Sequence, residues 1–266
     1  MTTSQAPGSR GASYEIKLPP PGVRHEQDNE WCLVRVDGTE RRIRFHDYGD
    51  IYRHDGLYEQ LFYDVLECSS PETVVGLLRE ELARASADPA GLTALDIGAG
   101  NGMVAEELAA AGIGSIVGVD IIPEAAEAAE RDRPGLYDAY LVEDLTALSA
   151  RARDALDEHD FTLLTCVAAL GFGDIPPAAF ASAYDLLPTG AWLAFCIKED
   201  FVESNGTPRG GFAGLIRELV ERGSLEVSAR KRYRHRTATN GDPLHYVAFV
   251  ARKAGPEPAT PLVAEH

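Results

Sequence analysis

Positive charge is the scarcest commodity in this chain. Lysine and arginine together number 25 against 42 aspartates and glutamates, a formal net charge of −17 over 266 residues. A surface so acidic repels polyanions, and nucleic-acid binding draws most of its affinity from cations neutralising phosphates, so nucleic acid is excluded as the main partner. Cysteine is also sparse: Cys32, Cys68, Cys166 and Cys196 are too scattered for a C-x-x-C pair or a zinc cluster, which argues against structural disulfides and a bound metal. Long apolar runs are missing. The longest, from Leu163 to Phe172, is too short for a membrane span. The opening stretch MTTSQAPGSRGA has one arginine and no apolar core, so no secretory signal is expected and a cytoplasmic location is.

What is present is ordinary globular material. Hydrophobic residues make up 45% and charged residues 25%, and the length suffices for one large core without cross-links. Residues 1–13 and 254–266 are rich in small residues or proline and lack periodicity, so both are expected to fray as tails. Between Trp31 and Phe45 two β-rich runs flank Asp37-Gly38, a hairpin signal. The segment from Asp50 to Ser70 is unusually aromatic, and residues 14–68 together read as a β-hairpin with an aromatic cap preceding the main domain, 69–253. Ser70 and Pro71 suggest a helix N-cap and first turn, with Val74, Leu77, Leu78 and Leu82 at helical spacing.

Beyond residue 90, short apolar runs alternate with helical stretches, the pattern of βαβ units and a mostly parallel sheet. The strands are expected at Ala94–Ile97, Ser115–Val119, Tyr140–Val142, Phe161–Cys166 and Trp192–Ile197. Leu225–Arg236 and Leu244–Lys253, joined only around Asn240-Gly241-Asp242, should form a terminal antiparallel hairpin.

The chemistry is concentrated at strand ends. LDIGAGNG, Leu95 to Gly102, is a buried-looking strand that stops at a glycine-rich turn opening a helix. Gly98, Gly100 and Gly102 permit a tight turn and would let an anion lie against bare N–H groups. A dinucleotide fingerprint would require glycine where Met103 stands. The next strand ends in Asp120, placed to accept from both hydroxyls of a ribose or to cap the helix starting at Pro123. Ile121 and Ile122 follow as apolar surface for a flat base. The third strand runs into Glu143-Asp144, where Asp144 could accept from an exocyclic amine, or could cap while Glu143 takes that role.

This set and order of residues closely resembles the class I S-adenosylmethionine-dependent methyltransferases, over roughly residues 72–253, and the terminal hairpin is a further point of likeness. The resemblance implies an α/β fold, a doubly wound, mostly parallel seven-stranded sheet with a C-terminal antiparallel hairpin, in the Rossmann-like methyltransferase manner. It implies S-adenosyl-L-methionine as cofactor, with Asp96 and the backbone of Gly98, Gly100 and Gly102 at the methionine moiety and Asp120 at the ribose. Asp144 and the Leu145 backbone would meet the adenine, Ile121 would pack on its ring, and Cys166 to Ala168 would lie beside the sulfonium. Cys166 and Cys196 also read simply as small core residues.

On the acceptor side, Tyr52 and Tyr58, with Phe62, are candidates for a lid over the cofactor, although Tyr58, Phe62 and Leu66 also share the spacing of a core stripe. Glu199 follows the fifth parallel strand and is a candidate at the pocket mouth. The basic run ARKRYRHR, Ala229 to Arg236, reads best as a charged edge strand, with arginines on one face and Tyr233 and His235 on the other. His235 remains a substrate-side candidate. The expected activity is methyl transfer to a small-molecule acceptor. The rival readings are a nicotinamide-dependent oxidoreductase and a cofactor-binding protein without catalysis.

Overall fold

The computed structural model describes residues 13–20, 22, 25–169, 175–200 and 211–264. The central element is a seven-stranded sheet in the order β6-β5-β4-β7-β8-β10-β9. Its strands are β4 (Thr93–Ile97), β5 (Ser115–Asp120), β6 (Ala139–Val142), β7 (Leu163–Cys166), β8 (Trp192–Lys198), β9 (Leu225–Thr237) and β10 (Pro243–Lys253). From β4 to β8 every pairing is parallel, while β10 runs antiparallel to both β8 and β9. This is the Rossmann-like methyltransferase arrangement expected from the sequence. The chain leaves β4 in one direction through β5 and β6, then returns to β7 on β4's other side, which puts a topological switch point between β4 and β7.

Both faces of the sheet are covered, which is why the strands are apolar at successive positions rather than alternate ones. Leu95, Ile97, Val117, Val119, Leu164 and Phe195 point into one core. It is closed by the helices after β6, β7 and β8: α6 (Ala150–Asp157), α7 (Pro177–Asp185) and α8 (Phe212–Glu221). Their intervening neighbours Ala94, Ile116, Leu163, Ala194 and Cys196 face the other core with α3 (Ser70–Arg84) and α4 (Met103–Ala110). In α3 the buried residues Val74, Leu77, Leu78 and Leu82 are the expected stripe. Ser70, however, does not cap: its hydroxyl lies 2.7 Å from Tyr233 Oη and 2.6 Å from His235 Nδ1.

The residues before α3 build a separate layer. A three-stranded antiparallel sheet combines the expected hairpin, β2 (Trp31–Val36) and β3 (Thr39–Arg44), with β1 (Glu15–Lys17), which is too short to register in the sequence. Two short helices follow, α1 (Tyr48–Tyr52) and α2 (Leu57–Glu59), and α2 continues into a π-helical turn over Gln60–Val65. Phe45, Ile51, Leu57, Leu61, Phe62 and Leu66 form this layer's own core. It is latched to the sheet by a buried ion pair, Glu30 Oε2 to Arg236 Nη2 at 2.5 Å, and to the segment between β5 and β6 by Arg133 Nη1, 2.7 Å from Glu59 Oε1.

Two expectations need correction here. Residues 254–264 are not a frayed tail: α9 (Thr260–Ala264) packs on α7, with Ala259 and Leu262 buried in the main core. Asp185 holds the turn before it, accepting from the Ala259 and Thr260 N–H groups. The basic strand β9 does form an edge, with Arg230, Arg232 and Arg234 exposed. A shift in its register with β10 between Leu244 and His245 breaks the alternation, so that His235 and Arg236 are both buried. The remaining tail, residues 1–12, lies outside the described residues.

Candidate functional site

The carboxyl ends of β4, β5, β6 and β7 surround a cavity of about 280 Å³ at the switch point, at the lower edge of the size range of small-ligand sites, roughly 300–1,000 Å³. Gly98 lies in its wall after β4, Asp120 at the end of β5, Glu143, Asp144 and Leu145 after β6, and Val167 and Ala168 after β7. Tyr48, Tyr52 and Tyr58 from the N-terminal layer cover it, together with His46, and Ile175 and Ala179 contribute from the α7 side.

The glycine turn is built for close approach. Gly98 and Gly100 both have positive φ, and a Cβ at Gly98 would come within 2.7 Å of Ile175 Cδ1. At Gly100 it would stand 2.6 Å from the Tyr52 hydroxyl oxygen, so Tyr52 sits directly on the turn. The N–H groups of this turn are not bare, as the sequence had suggested. Gly98 and Ala99 donate to Val119 O, Gly100 to Asp120 Oδ2 and Gly102 to Ala99 O. Gly102 serves packing and lies outside the cavity lining, for a Cβ there would press on Arg133 and Tyr137 at 3.2 and 3.3 Å.

Asp120 accepts from the Gly100 N–H at 2.9 Å and the Ile122 N–H at 3.0 Å, one on each oxygen. Burial raises its pKa, and those backbone donors pull it down. It therefore fixes both the glycine turn and the entry to α5 (Pro123–Asp132) while remaining in the cavity wall. Ile121, beside it, is 59% exposed, an apolar side chain held at the rim. Asp144 Oδ1 receives the Thr146 N–H and hydroxyl at 2.8 and 2.7 Å, which lowers its pKa. Helix α6 is capped by Ser149, whose hydroxyl accepts from Ala152 N, so Asp144 shapes its own loop and does not cap that helix.

Asp96 lies beneath the turn, outside the cavity lining and 1% exposed. Thr165 Oγ1 donates to its Oδ1 at 2.7 Å, and Tyr137 Oη lies 3.0 Å from Oδ2 and 3.3 Å from Ala99 O. Burial, stronger than the opposing hydrogen bonds, pushes its pKa up to about 7. A protonated Asp96 can donate to the Tyr137 oxygen and release the phenolic hydrogen for Ala99.

Besides Asp96 and Gly102, four further sequence candidates fall outside the lining. Cys166 is fully buried in the core, and the cavity is lined instead by the next residues, Val167 and Ala168. Ala168 adopts a φ of 59°, a conformation uncommon for a side-chain-bearing residue, and its N–H lies 3.2 Å from Cys196 Sγ. Glu199 is outside the lining and is ion-paired with Arg232 on β9, which lowers its pKa. Gly100 touches the site only through Tyr52 and Asp120. His235 lines a separate small chamber rather than the main cavity. Sequence reasoning passed over His46, Tyr48 and Ile175; only the recurrence of tyrosine through this segment hinted at Tyr48.

Among the described residues, the cavity wall carries three carboxylates, Asp120, Glu143 and Asp144, and no lysine or arginine. A pyrophosphate would find no cation in the described wall, and the N–H groups of Gly98, Ala99, Gly100 and Gly102 are already taken. A ligand with a positive centre, a diol and an amine would find acceptors.

Residues 72–236 match the family model described as a methyltransferase domain. The chain belongs to the methyltransferase domain family. Its fold is shared with N-methyltransferase NodS from Bradyrhizobium japonicum WM9, solved with S-adenosyl-L-homocysteine, at 18% identity and a TM-score of 0.55 over 79% of this chain and 98% of that one. A S-adenosylmethionine-dependent methyltransferase from Clostridium acetobutylicum ATCC 824 matches at 13% identity and a TM-score of 0.50, covering 75% of this chain and 97% of that one. No curated protein matches in sequence. As a methyltransferase, the chain has its glycine turn, Asp120 and Asp144 within the matched region and its tyrosine cover ahead of it.

Proposed function

We propose that this methyltransferase transfers the methyl group of S-adenosylmethionine to a small-molecule acceptor. One observation carries the reading: a switch-point cavity walled by Asp120, Glu143 and Asp144, without a lysine or arginine among its described residues. S-adenosylmethionine brings a sulfonium cation, a ribose diol and an adenine amine, and it supplies an already activated methyl group, so catalysis rests mainly on positioning. Asp120 accepts from the ribose hydroxyls. Ile121 and Leu145 bracket the adenine, whose amine is met by Asp144 through the oxygen not bound to Thr146. The start of the glycine turn at Gly98 lies along the methionine portion, with Tyr52 over the turn at Gly100 and Asp96 supporting it from below.

Tyr52 and Tyr58 cover the cavity, and their rings, 4.9 Å between centroids, offer the acceptor an aromatic surface. The net charge of −17 favours a small acceptor over nucleic acid. The free state of all four cysteines accords with a cytoplasmic setting.

Titration calorimetry with S-adenosylhomocysteine and with NADH tests the reading. Saturable binding of the first and none of the second is expected. The reverse result would return the oxidoreductase interpretation to first place.

A further inference from the structure

Beside the cofactor cavity lies a second chamber of about 40 Å³. It shares His46, Tyr48, Tyr58, Ala168 and Ala169 with the larger cavity, so the two adjoin across these residues. Its remaining wall includes Gln27, His235 and Tyr246. A space of this size admits a group of a few atoms, more than one water and less than a ring.

Gln27 is 8% exposed, and its Nε2 donates to Tyr246 Oη at 2.8 Å, while its Oε1 is buried with no hydrogen-bond partner. Turning the amide over would pair the oxygen and strand the NH2 group, so one end of this side chain is left for a ligand in either setting. His235, 5% exposed, lies against Tyr246 with ring centroids 4.1 Å apart. Its Nδ1 is held 2.6 Å from Ser70 Oγ, itself 2.7 Å from Tyr233 Oη, and Tyr233 in turn bonds Cys196. Run in the donor sense from His235 to Ser70, Tyr233 and the Cys196 sulfur, this relay leaves Nε2 with its lone pair.

The other ionisable groups facing the imidazole leave it neutral. Cys68 Sγ is 3.8 Å from Nδ1, and burial holds that thiol protonated. Arg236, although paired with Glu30, still disfavours a proton on the neighbouring imidazole. Burial first, and the Arg236 charge second, drive the His235 pKa well down. Two hydrogen-bond acceptors, Gln27 Oε1 and His235 Nε2, thus border one small space whose other walls include the rings of Tyr48, Tyr58, Phe62 and Tyr246 and the Arg236 side chain.

We infer that this chamber receives the reacting end of the methyl acceptor, a neutral primary amine, with one N–H donated to Gln27 Oε1 and the other to His235 Nε2. With Gln27 Nε2 given to Tyr246, as observed, both open groups are acceptors; a hydroxyl has a single hydrogen and cannot serve both, whereas an amino group can. The Arg236 guanidinium in the wall disfavours a second cation, so the amine enters uncharged. The neutral amine keeps its nitrogen lone pair, which forms the new bond to the methyl carbon while the electrons of the carbon–sulfur bond stay on sulfur and the product leaves as the methylated ammonium. The inference rests on the proposed methyl transfer, and it assigns the acceptor's chemistry within it.

Calorimetry with S-adenosylhomocysteine comes first, on wild type, Gln27→Met and His235→Asn. Neither residue lines the cofactor cavity, so all three should bind it alike, which also establishes that the variants are folded. If wild type fails to bind, the proposed function fails and the question of the acceptor does not arise. Benzylamine, benzyl alcohol and toluene are then titrated into each loaded protein. Wild type should prefer benzylamine, and each variant should weaken it about tenfold, the equivalent of one hydrogen bond, while leaving toluene unchanged. Equal binding of benzylamine and toluene, indifference of benzylamine to both substitutions, or no binding of any probe would each overturn the inference and leave the chamber a water pocket.

Discussion

The backbone N–H of Gly100 donates to the Asp120 carboxylate across 2.9 Å, tying the turn after β4 to the end of β5. Two elements of the proposed cofactor site are therefore one mechanical unit, because the residue offered to the ribose is also the residue that shapes the turn. Asp120→Asn tests this coupling. An amide can accept the Gly100 or the Ile122 hydrogen but not both, and it presents an NH2 group to the other. S-adenosylhomocysteine affinity should fall roughly ten- to a hundredfold by calorimetry, the equivalent of losing a charged hydrogen bond of about 1.5–3 kcal/mol. Retained affinity would remove Asp120 from the site.

Gly100 and Tyr52 form the second coupled pair. Alanine at position 100 would hold a positive φ, costing roughly 1–2 kcal/mol, and its Cβ would also meet the Tyr52 hydroxyl at 2.6 Å. Gly100→Ala should lower stability in urea unfolding by about 2–3 kcal/mol and weaken S-adenosylhomocysteine binding. Adding Tyr52→Phe removes the clashing oxygen and should recover the steric share while leaving the backbone share. If the double variant is no more stable than the single, Tyr52 does not rest on the turn.

The strand ends carrying these residues were legible because βαβ alternation fixes them closely: the expected strand at Ala94–Ile97 is observed at Thr93–Ile97, and Ser115–Val119 at Ser115–Asp120. Side-chain destinations were less legible wherever the backbone departs from regularity. His235 and Arg236 are both buried because of a register shift that leaves no mark in the residue types. Cys166 continues the strand into the core, and the chain opens to the cavity only at Val167 and Ala168. Gln27 and His46 gave no signal, since nothing local in the sequence shows that the N-terminal layer folds over the sheet edge. The turn's N–H groups looked available because glycine spacing reports conformational freedom and says nothing of which carbonyl or carboxylate stands opposite.

Asp96 makes stability depend on pH. Its folded pKa of about 7 lies well above the value of about 3.9 in an unfolded chain, so the folded state holds the proton more tightly. The group's contribution is complete below about pH 4 and is lost as the pH rises through about 7, because the buried carboxylate must then ionise. Asp96→Asn can still accept from Thr165 and donate to Tyr137 without titrating. Urea unfolding at pH 5 and pH 8 should show wild type losing stability relative to the variant at the higher pH, on the order of a few kcal/mol. Parallel behaviour of the two proteins would mean that Asp96 is ionised throughout.

The Glu30–Arg236 pair tests how the N-terminal layer is held over the site. Both side chains are almost fully buried, 1% and 3% exposed, and Glu30 Oε1 also accepts the Thr239 N–H at 2.5 Å. Glu30→Gln preserves the shape but strands a guanidinium in a dry interface, and should cost about 3–5 kcal/mol in urea unfolding. Since a buried pair repays little more than its own desolvation, replacing both partners in Glu30→Met/Arg236→Met should restore most of that loss. Hydrogen exchange separates a local from a global effect. Faster exchange in β2 and β3 with β4 and β5 unchanged would show the layer opening over an intact sheet, whereas uniform acceleration would show that this pair stabilises the whole chain rather than the cover of the site.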